Sequence, residues 1–287
     1  MENKLESENL NSLAPLRELW TFPSDHLPVG ALVEVGGRKL EVATLNCLAD
    51  RHLHWVTEKD SQGLKGSLIT TAKDRNDLVA EVVVEMLTQK EHPKDLIALQ
   101  EVSNVLVSKL RESLPDDFHI WKKGELAFIH NRNILTVTNI SYHNIFQHYP
   151  GKFVMKIKFS ISDSNSQFWV VVVHMPGDPK TSLSSRRNLA NYLERVASTG
   201  LTAIAMGDMN FTAKEMVEVF SEVEIKFDLV SPYPTNINPA PERFSKAIDH
   251  IVVLNSAGEV TAREPDEVWE RLEKLVELLK NRGISNF

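Results

Sequence analysis

The sequence predicts an α/β domain in which sheets are flanked by helices, and three observations carry that expectation. Short apolar runs of strand length alternate with segments of helical spacing from about residue 31 to residue 254. No internal repeat or low-complexity linker interrupts the alternation. At 287 residues, 42% apolar and 25% charged, the chain can bury a sizeable core, which excludes wholesale disorder and fibrous architecture.

The elements follow in order. Residues 1–22 are polar, with one weak amphipathic stretch at Leu13, Leu16 and Trp20, and read as an arm or short helix. ALVEV (31–35) and KLEVATLN (39–46) are strand-like runs separated by Gly36-Gly37, a hairpin signal because both turn residues can take positive φ. A helix is expected over 74–89, a short strand over 95–101 and a helix over 102–114. Strands are expected at 119–121, 125–130, 152–159 and 168–174. In the third of these, Phe153, Met155, Ile157 and Phe159 share one face and Lys152, Lys156 and Lys158 the other. A helix over 186–196, a strand over 202–208, a Thr212-capped helix over 213–220 and a strand over 247–254 complete the domain, set at 23–256. The tail, 257–287, carries an amphipathic helix over 264–283 that ends at Gly283.

Polar residues recur at the ends of apolar strands: Asn46, Glu101, His174, Asp208 with Asn210, and Asp249. Strand ends on a packed sheet are rigid and share a rim, where sites are usually built. Each residue alone has a plain alternative. Asn46 suits a strand-ending turn, Glu101 a helix N-terminus, and His174 a loop before Met-Pro-Gly. GDMN (207–210) is a stronger signal, and Asp249 within an apolar strand is expensive to bury without a partner. Together the five argue for a site.

LNCLAD (45–50), ALQEV (98–102), VVHMP (172–176), GDMN (207–210) and IDHIV (248–252) resemble, in order, motifs of the endonuclease/exonuclease/phosphatase family. The resemblance runs from residue 40 to about 254. It implies a four-layer α-β-β-α sandwich of two mixed sheets. Family members normally finish with a strand opened by Ser-Asp-His-x-Pro. Nothing after Val253 supplies it, whereas Ser24-Asp25-His26-Leu27-Pro28-Val29 stands at the front. The chain therefore resembles a circularly permuted member. The hairpin agrees with this independently: if Val35 pairs with Arg38, Leu27 lies opposite Asn46 and His26 starts within a rung or two of it. Strict alternation would put Asp25, not His26, on the face of Asn46, so the chain before Pro28 must leave ideal strand geometry.

The resemblance implies hydrolysis of a phosphate ester with Mg²⁺ or Mn²⁺. Metal ligation falls to Glu101, Asn46 and Asp25 or Asp208, an oxygen-rich set that suits those ions. Asp208 orients or deprotonates the attacking water, Asn210 bonds the phosphate, and His174 and His26 lie against its non-bridging oxygens. Asp249 holds His26, while His250 is structural or substrate-adjacent. Arg186 and Arg187 are candidates for substrate phosphate, as are Lys122-Lys123 and the lysine face of 152–158; all suit a solvated surface equally. Trp55, Tyr149 and Tyr233 near the rim are candidates for stacking a base, with packing the commoner role.

The expected substrate is a phosphodiester in nucleic acid or a nucleotide, ahead of a phospholipid head group or sugar phosphate. A binding protein that retains the fold without turnover is the rival from another class. Intact candidates at every catalytic position argue against it. Net charge of −7 excludes gripping long nucleic acid through the overall field, yet allows a local basic patch. No run approaches the roughly 20 apolar residues of a membrane span, so stable membrane insertion is not expected. No obligate protein partner is implied. The first residues lack a signal-peptide pattern, and the single Cys47 rules out an internal disulfide and a cysteine zinc site; a reducing, cytoplasmic setting is the expectation.

Overall fold

The computed structural model describes residues 24, 26–52, 71–146, 148–164, 166–178, 182–223, 226–230, 248–256, 258 and 260–262. Asp25, Trp55, Tyr233, the arm over 1–22 and the helix expected over 264–283 lie outside them. Along the described chain run β1 (Val29–Val35), β2 (Arg38–Asn46), α1 (Ala72–Thr88), β3 (Leu96–Gln100), α2 (Asn104–Ser113), β4 (Phe118–Lys123), β5 (Leu126–Asn131) and β6 (Leu135–His143). They are followed by β7 (Val154–Ile161), β8 (Gln167–His174), α3 (Ser182–Ala197), β9 (Ala203–Asp208), α4 (Ala213–Phe220), β10 (Phe227–Val230), β11 (Asp249–Leu254) and β12 (Val260–Ala262).

Two six-stranded sheets result, in the orders β12-β1-β2-β3-β5-β4 and β10-β11-β9-β8-β7-β6. Both are mixed: β2/β3 and β8/β9 pair in parallel, and the remaining neighbours are antiparallel. Alternation along each strand explains the layers. Val42, Ala98 and Phe128 of the first sheet meet Ile157, Val170, Met206 and Ile251 of the second in an inter-sheet core. The opposite faces, with Ala43, Ile97 and Ile129 on one sheet and Val171, Ala205 and Val252 on the other, pack under α1 and α2 and under α3 and α4. The chain is a four-layer α-β-β-α sandwich.

The hairpin forms as the Gly-Gly pair requires: Gly36 and Gly37 take φ of 58° and 81°, and Val35 pairs with Arg38. Alternation then breaks at Pro28. Val29 faces the inter-sheet core, yet Leu27, of the same parity, packs under the helices. The strand starts at Val29, and the break turns His26 inward.

Three strands escaped the sequence pattern. β6 is an edge strand with a register shift between Val137 and Asn139, where Thr138 Oγ1 bonds Lys158 O. That bulge interrupts its period-2 pattern. β10 and β12 have four and three residues at the sheet margins, too few for periodicity. The expected start of β7 at Lys152 moves to Val154, because Lys152 N–H donates to Tyr149 O in a turn. α3 begins at Ser182, a turn earlier than its apolar stripe.

Candidate active site

The inter-sheet layer changes character at one end. Moving along β2, inward side chains run Val42, Thr44, Asn46; along β3, Ala98, Gln100; along β8, Val172, His174; along β9, Met206, Asp208. β11 runs the other way, so its first residue, Asp249, reaches the same rim. The register aligns them: Asn46 pairs with Gln100, His174 with Asp208, and Asp208 with Asp249. Gly207 allows the close approach. At its φ of 147° an added Cβ would come within 1.9 Å of Val173 O.

Three strand ends turn through left-handed backbone, at Leu48 (φ 56°), Glu101 (φ 56°) and Asn210 (φ 53°). Such conformations cost energy in non-glycine residues and are enriched at functional sites. The consequence is clearest at Glu101. Gln100 faces the core, so alternation would send Glu101 under the helices. The positive φ returns its carboxylate to the rim, where Ala49 N–H donates to Oε2 (2.8 Å) and Asn46 Nδ2 to Oε1 (3.2 Å). Asn46 also donates to Asp208 Oδ2 (3.1 Å), while its own Oδ1 accepts from Leu48 N–H (3.0 Å). Its amide nitrogen, not its oxygen, thus bridges the two carboxylates. Arg75 of α1, fully buried, donates to Cys47 O and Asp50 Oδ1 and fixes the loop that presents Ala49.

Each of the two rim histidines is backed by a carboxylate. His26 Nδ1 lies 2.7 Å from the fully buried Asp249 Oδ2, and its Nε2 faces Asp208 Oδ2 at 3.9 Å. Ser24 Oγ donates to Asn46 O (2.7 Å) and accepts from His26 N–H (3.1 Å), which ties the N-terminal turn to β2. His174 Nδ1 lies 2.9 Å from Glu125 Oε1, and its Nε2 faces Glu101 Oε1 (3.6 Å) and Asp208 Oδ2 (3.7 Å). Lys152 Nζ joins the second pair, 2.6 Å from Glu125 and 2.8 Å from His174 Nδ1.

The carboxylates are held differently. Burial and the neighbouring Asp249 push Asp208 above the ordinary range, against the pull of His26 and His174. Burial alone would raise Glu101 too, but the His174 charge and the Ala49 and Asn46 hydrogen bonds hold it below that range. Against its own burial, Glu125 is drawn down to about 2 by the hydrogen bonds and charges of His174 and Lys152. Among the described residues, Glu101, Glu125, Asp208 and Asp249 face the Lys152 ammonium, the Arg51 guanidinium (4.0 Å from Glu125) and two imidazoles. Lysine and arginine both lie at Glu125, so the inner carboxylates Glu101 and Asp208 are where added positive charge fits. Ligand atoms of His26, Asp208 and Asp249 lie within 4.8 Å of one another, and the Glu101–Asp208 oxygens flanking Asn46 form a second, oxygen-rich position. Because His26 Nδ1 is engaged by Asp249, the oxygen-rich position better fits a hard divalent cation.

The structure brings His26, Asn46, Glu101, His174, Asp208, Asn210 and Asp249 to one rim. Asn210 is held by its N–H on Asp208 Oδ1 (2.9 Å) and by Nδ2 on Met175 O (2.9 Å). Arg186 sits behind the Asn210 turn, over the Phe211 ring and paired with Glu215 at 2.9 Å. Arg187 is half-exposed and pairs with Glu222 at 2.9 Å. Lys156 and Lys158 lie over Trp169, away from the rim, and Tyr149 donates to Asp178 (2.9 Å). His250 is fully buried, bonds Phe211 O (2.7 Å) and is held neutral by burial; it is structural. Burial pushes the Cys47 thiol up to about 12, which leaves it inert. Glu125 and the role of Lys152 escaped sequence reasoning because they precede β5 and β7. Both strands run antiparallel to a neighbour that ends at the rim, so their N-terminal ends reach it.

No family model matches the chain, and no curated protein resembles it in sequence. Solved structures do. The catalytic domain of human Nocturnin with bound sulfate superposes with a TM-score of 0.54 at 16% identity, covering 76% of this chain and 82% of that one. A mannosyl-6-phosphatase of Bacteroides thetaiotaomicron gives 0.53 at 17% identity, covering 79% and 95%. An endonuclease/exonuclease/phosphatase family protein from the same bacterium gives 0.51 at 16%, covering 75% and 82%. The chain has the fold of the endonuclease/exonuclease/phosphatase family. Among the described residues no helix is long and apolar enough to cross a membrane.

Proposed function

We propose that the protein is a divalent-metal-dependent phosphoesterase that hydrolyses a phosphodiester of nucleic acid or a nucleotide. The observation that carries this reading is the pair of carboxylate-backed histidines, His26–Asp249 and His174–Glu125, facing Asp208 and Glu101 across Asn46. Glu101, with Asp208 across the Asn46 amide, would hold Mg²⁺ or Mn²⁺, with Asp25 a further ligand on the sequence reading alone; the cation offsets the charge of the phosphate and of the departing alkoxide. Asp208, fixed through Oδ1 by Asn210 N–H, orients the attacking water and takes its proton. His26 and His174 would donate through Nε2 to the non-bridging oxygens, and Asp249 and Glu125 hold the two rings in orientation. Asn210 adds a hydrogen bond to the phosphate. The front-placed Ser24–His26 segment is read as the family's usual last strand, moved ahead of the first. The antiparallel pairing of β1 with β2, with His26 at the rim end, supports that reading.

The test uses bis(p-nitrophenyl) phosphate with Mg²⁺ or Mn²⁺ and with excess chelator. Turnover should require the cation, and Glu101→Gln should keep the fold while losing at least about a hundredfold in rate. Full activity in chelator overturns the proposal.

A further inference from the structure

The two sheets end in β4 and β6, whose inward faces meet at one edge of the sandwich, where Lys123 of β4 lies over Tyr142 of β6. Ile120 of β4 packs under the helices, so His119, Trp121 and Lys123 share the inward face. Tyr142 of β6 pairs with the core residue Met155 and shares its face. Trp121 (40% exposed) and Tyr142 (44%) are the exposed large aromatics among the described residues. The strip is preorganised. Tyr142 meets Phe153 edge-on (centroids 5.8 Å, 90°), Lys123 Nζ lies 5.8 Å from the Tyr142 centroid, and Trp121 stacks parallel to Phe128. A Cβ at Gly124 would come within 2.9 Å of Phe153 Cε1, so the β4–β5 turn rests on this ring. The strip also leads into the site. Lys152, next to Phe153, contacts His174 and Glu125, and Glu125 follows Gly124.

Exposed aromatic faces interleaved with lysines, beside a phosphate-hydrolysing rim, match single-stranded nucleic acid: bases stack on the rings and phosphates meet the ammonium groups. A duplex buries its base faces, and a lipid head group or sugar phosphate offers no succession of flat rings. We infer that the Trp121–Lys123–Tyr142–Phe153 strip binds the single-stranded segment flanking the scissile phosphate. This rests on the phosphodiesterase reading and extends it to the substrate class.

The experiment measures fluorescence anisotropy of fluorescein-labelled dT12 and rU12, and of a twelve-base-pair duplex, with the full chain in chelator at several salt concentrations. Hydrolysis of bis(p-nitrophenyl) phosphate with metal is followed in parallel. The single strands should bind more tightly than the duplex. Trp121→Ala and Tyr142→Ala should each weaken them about 5- to 150-fold, as loss of one stacked base does. Tyr142→Phe should retain binding, and Lys123→Ala should lower the salt slope by about 0.7. None of the four should alter turnover of the small ester, since none touches the catalytic residues. Loss of small-ester turnover in the parent indicts the phosphodiesterase reading. Parent turnover together with aromatic variants that bind single strands normally overturns the strip assignment alone. So does aromatic-dependent capture of sphingomyelin vesicles without oligonucleotide binding.

Discussion

If His26 and Asp249 work as one unit, removing either should cost nearly what removing both costs. The pair is held by a 2.7 Å bond between groups that are 5% and 0% exposed and stand 223 positions apart in the chain. A buried hydrogen bond to a charged group contributes about 1.5–3 kcal/mol. His26→Ala and Asp249→Ala should therefore couple by about that amount in a double-mutant cycle. Each single variant should lower Tm by roughly 3–10 °C, at about 2–4 °C per kcal/mol for a large domain. Catalysis should show the same non-additivity. Each single variant and the double variant should lose kcat by roughly 10²–10⁴-fold, because Asp249 orients the imidazole through which the pair works. Asp249→Asn, which keeps a hydrogen-bonding partner of the same shape, should hold Tm closer to the parent while still losing rate. The assay is urea unfolding of the four proteins alongside initial rates on bis(p-nitrophenyl) phosphate. Additive stabilities, with coupling under about 0.5 kcal/mol, or an Asp249→Ala variant as active as the parent, would refute the pairing as a functional unit.

Asp208→Asn should lower kcat with little change in KM, because orienting the water matters in the transition state; a variant that chiefly raises KM would move Asp208 to substrate recognition. Asn210→Ala should be milder in rate, and its φ of 53° makes Asn210→Gly the control for backbone strain. A chain that starts near Arg38 and carries residues 20–36 on a flexible linker after residue 287 should refold and recover turnover, since pairing follows register and proximity more than connectivity; a folded but inactive product counts against the strand-order reading. His130, at the far end of the inter-sheet layer, is 4% exposed and lowered to about 4 by burial, with the charges of His119 and Arg132 adding to it. Its unfolded value is near 6.5, so the unfolded chain binds the extra proton between about 6.5 and 4. Stability present above that window is lost as pH falls through it, by about 2–3 kcal/mol at pH 4.5. Urea midpoints of the parent and His130→Phe should diverge by that difference between pH 7 and 4.5, and parallel curves would exclude the effect.

The layers were legible because period-2 runs such as Met155, Ile157, Phe159 and the all-apolar Val170–Val173 state which strands are covered on both faces. The rim residues at strand C-termini were legible for the same reason: a polar side chain closing an apolar strand has few other uses. What stayed hidden depends on direction and curvature. Glu125 and Lys152 precede strands, so only the antiparallel order of β5 and β7 brings them to the rim. Asn46 offers its amide nitrogen to the carboxylates because Leu48 N–H claims its oxygen, a choice set by the left-handed turn at Leu48. Arg75 stands in the first turn of α1. Its burial beneath the Cys47–Asp50 loop follows from how α1 docks, which no local pattern contains.

The site's tolerance of chain order follows from this construction. Its residues are placed by register and by inward alternation, and neither property refers to which strand comes first. Asp208 is aligned with His174 and Asp249 by two ladders and Asn46 with Gln100 by a third, and Gly207 lets β9 approach Val173 of β8 closely. His26, like Glu101 and Asn210, stands outside a regular strand. It is placed by a break in alternation at Pro28 and by Ser24, which bonds Asn46 O on one side and His26 N–H on the other. Local bonds of that kind travel with the segment wherever the chain connects it. What the segment cannot lose is its pairing with β2, because that hairpin fixes the distance from Pro28 to Asn46. A lengthened Gly36-Gly37 turn should therefore be tolerated as long as Val35 still meets Arg38. A one-residue slip of β1 would carry its apolar face out of the core and the imidazole away from Asp249 together.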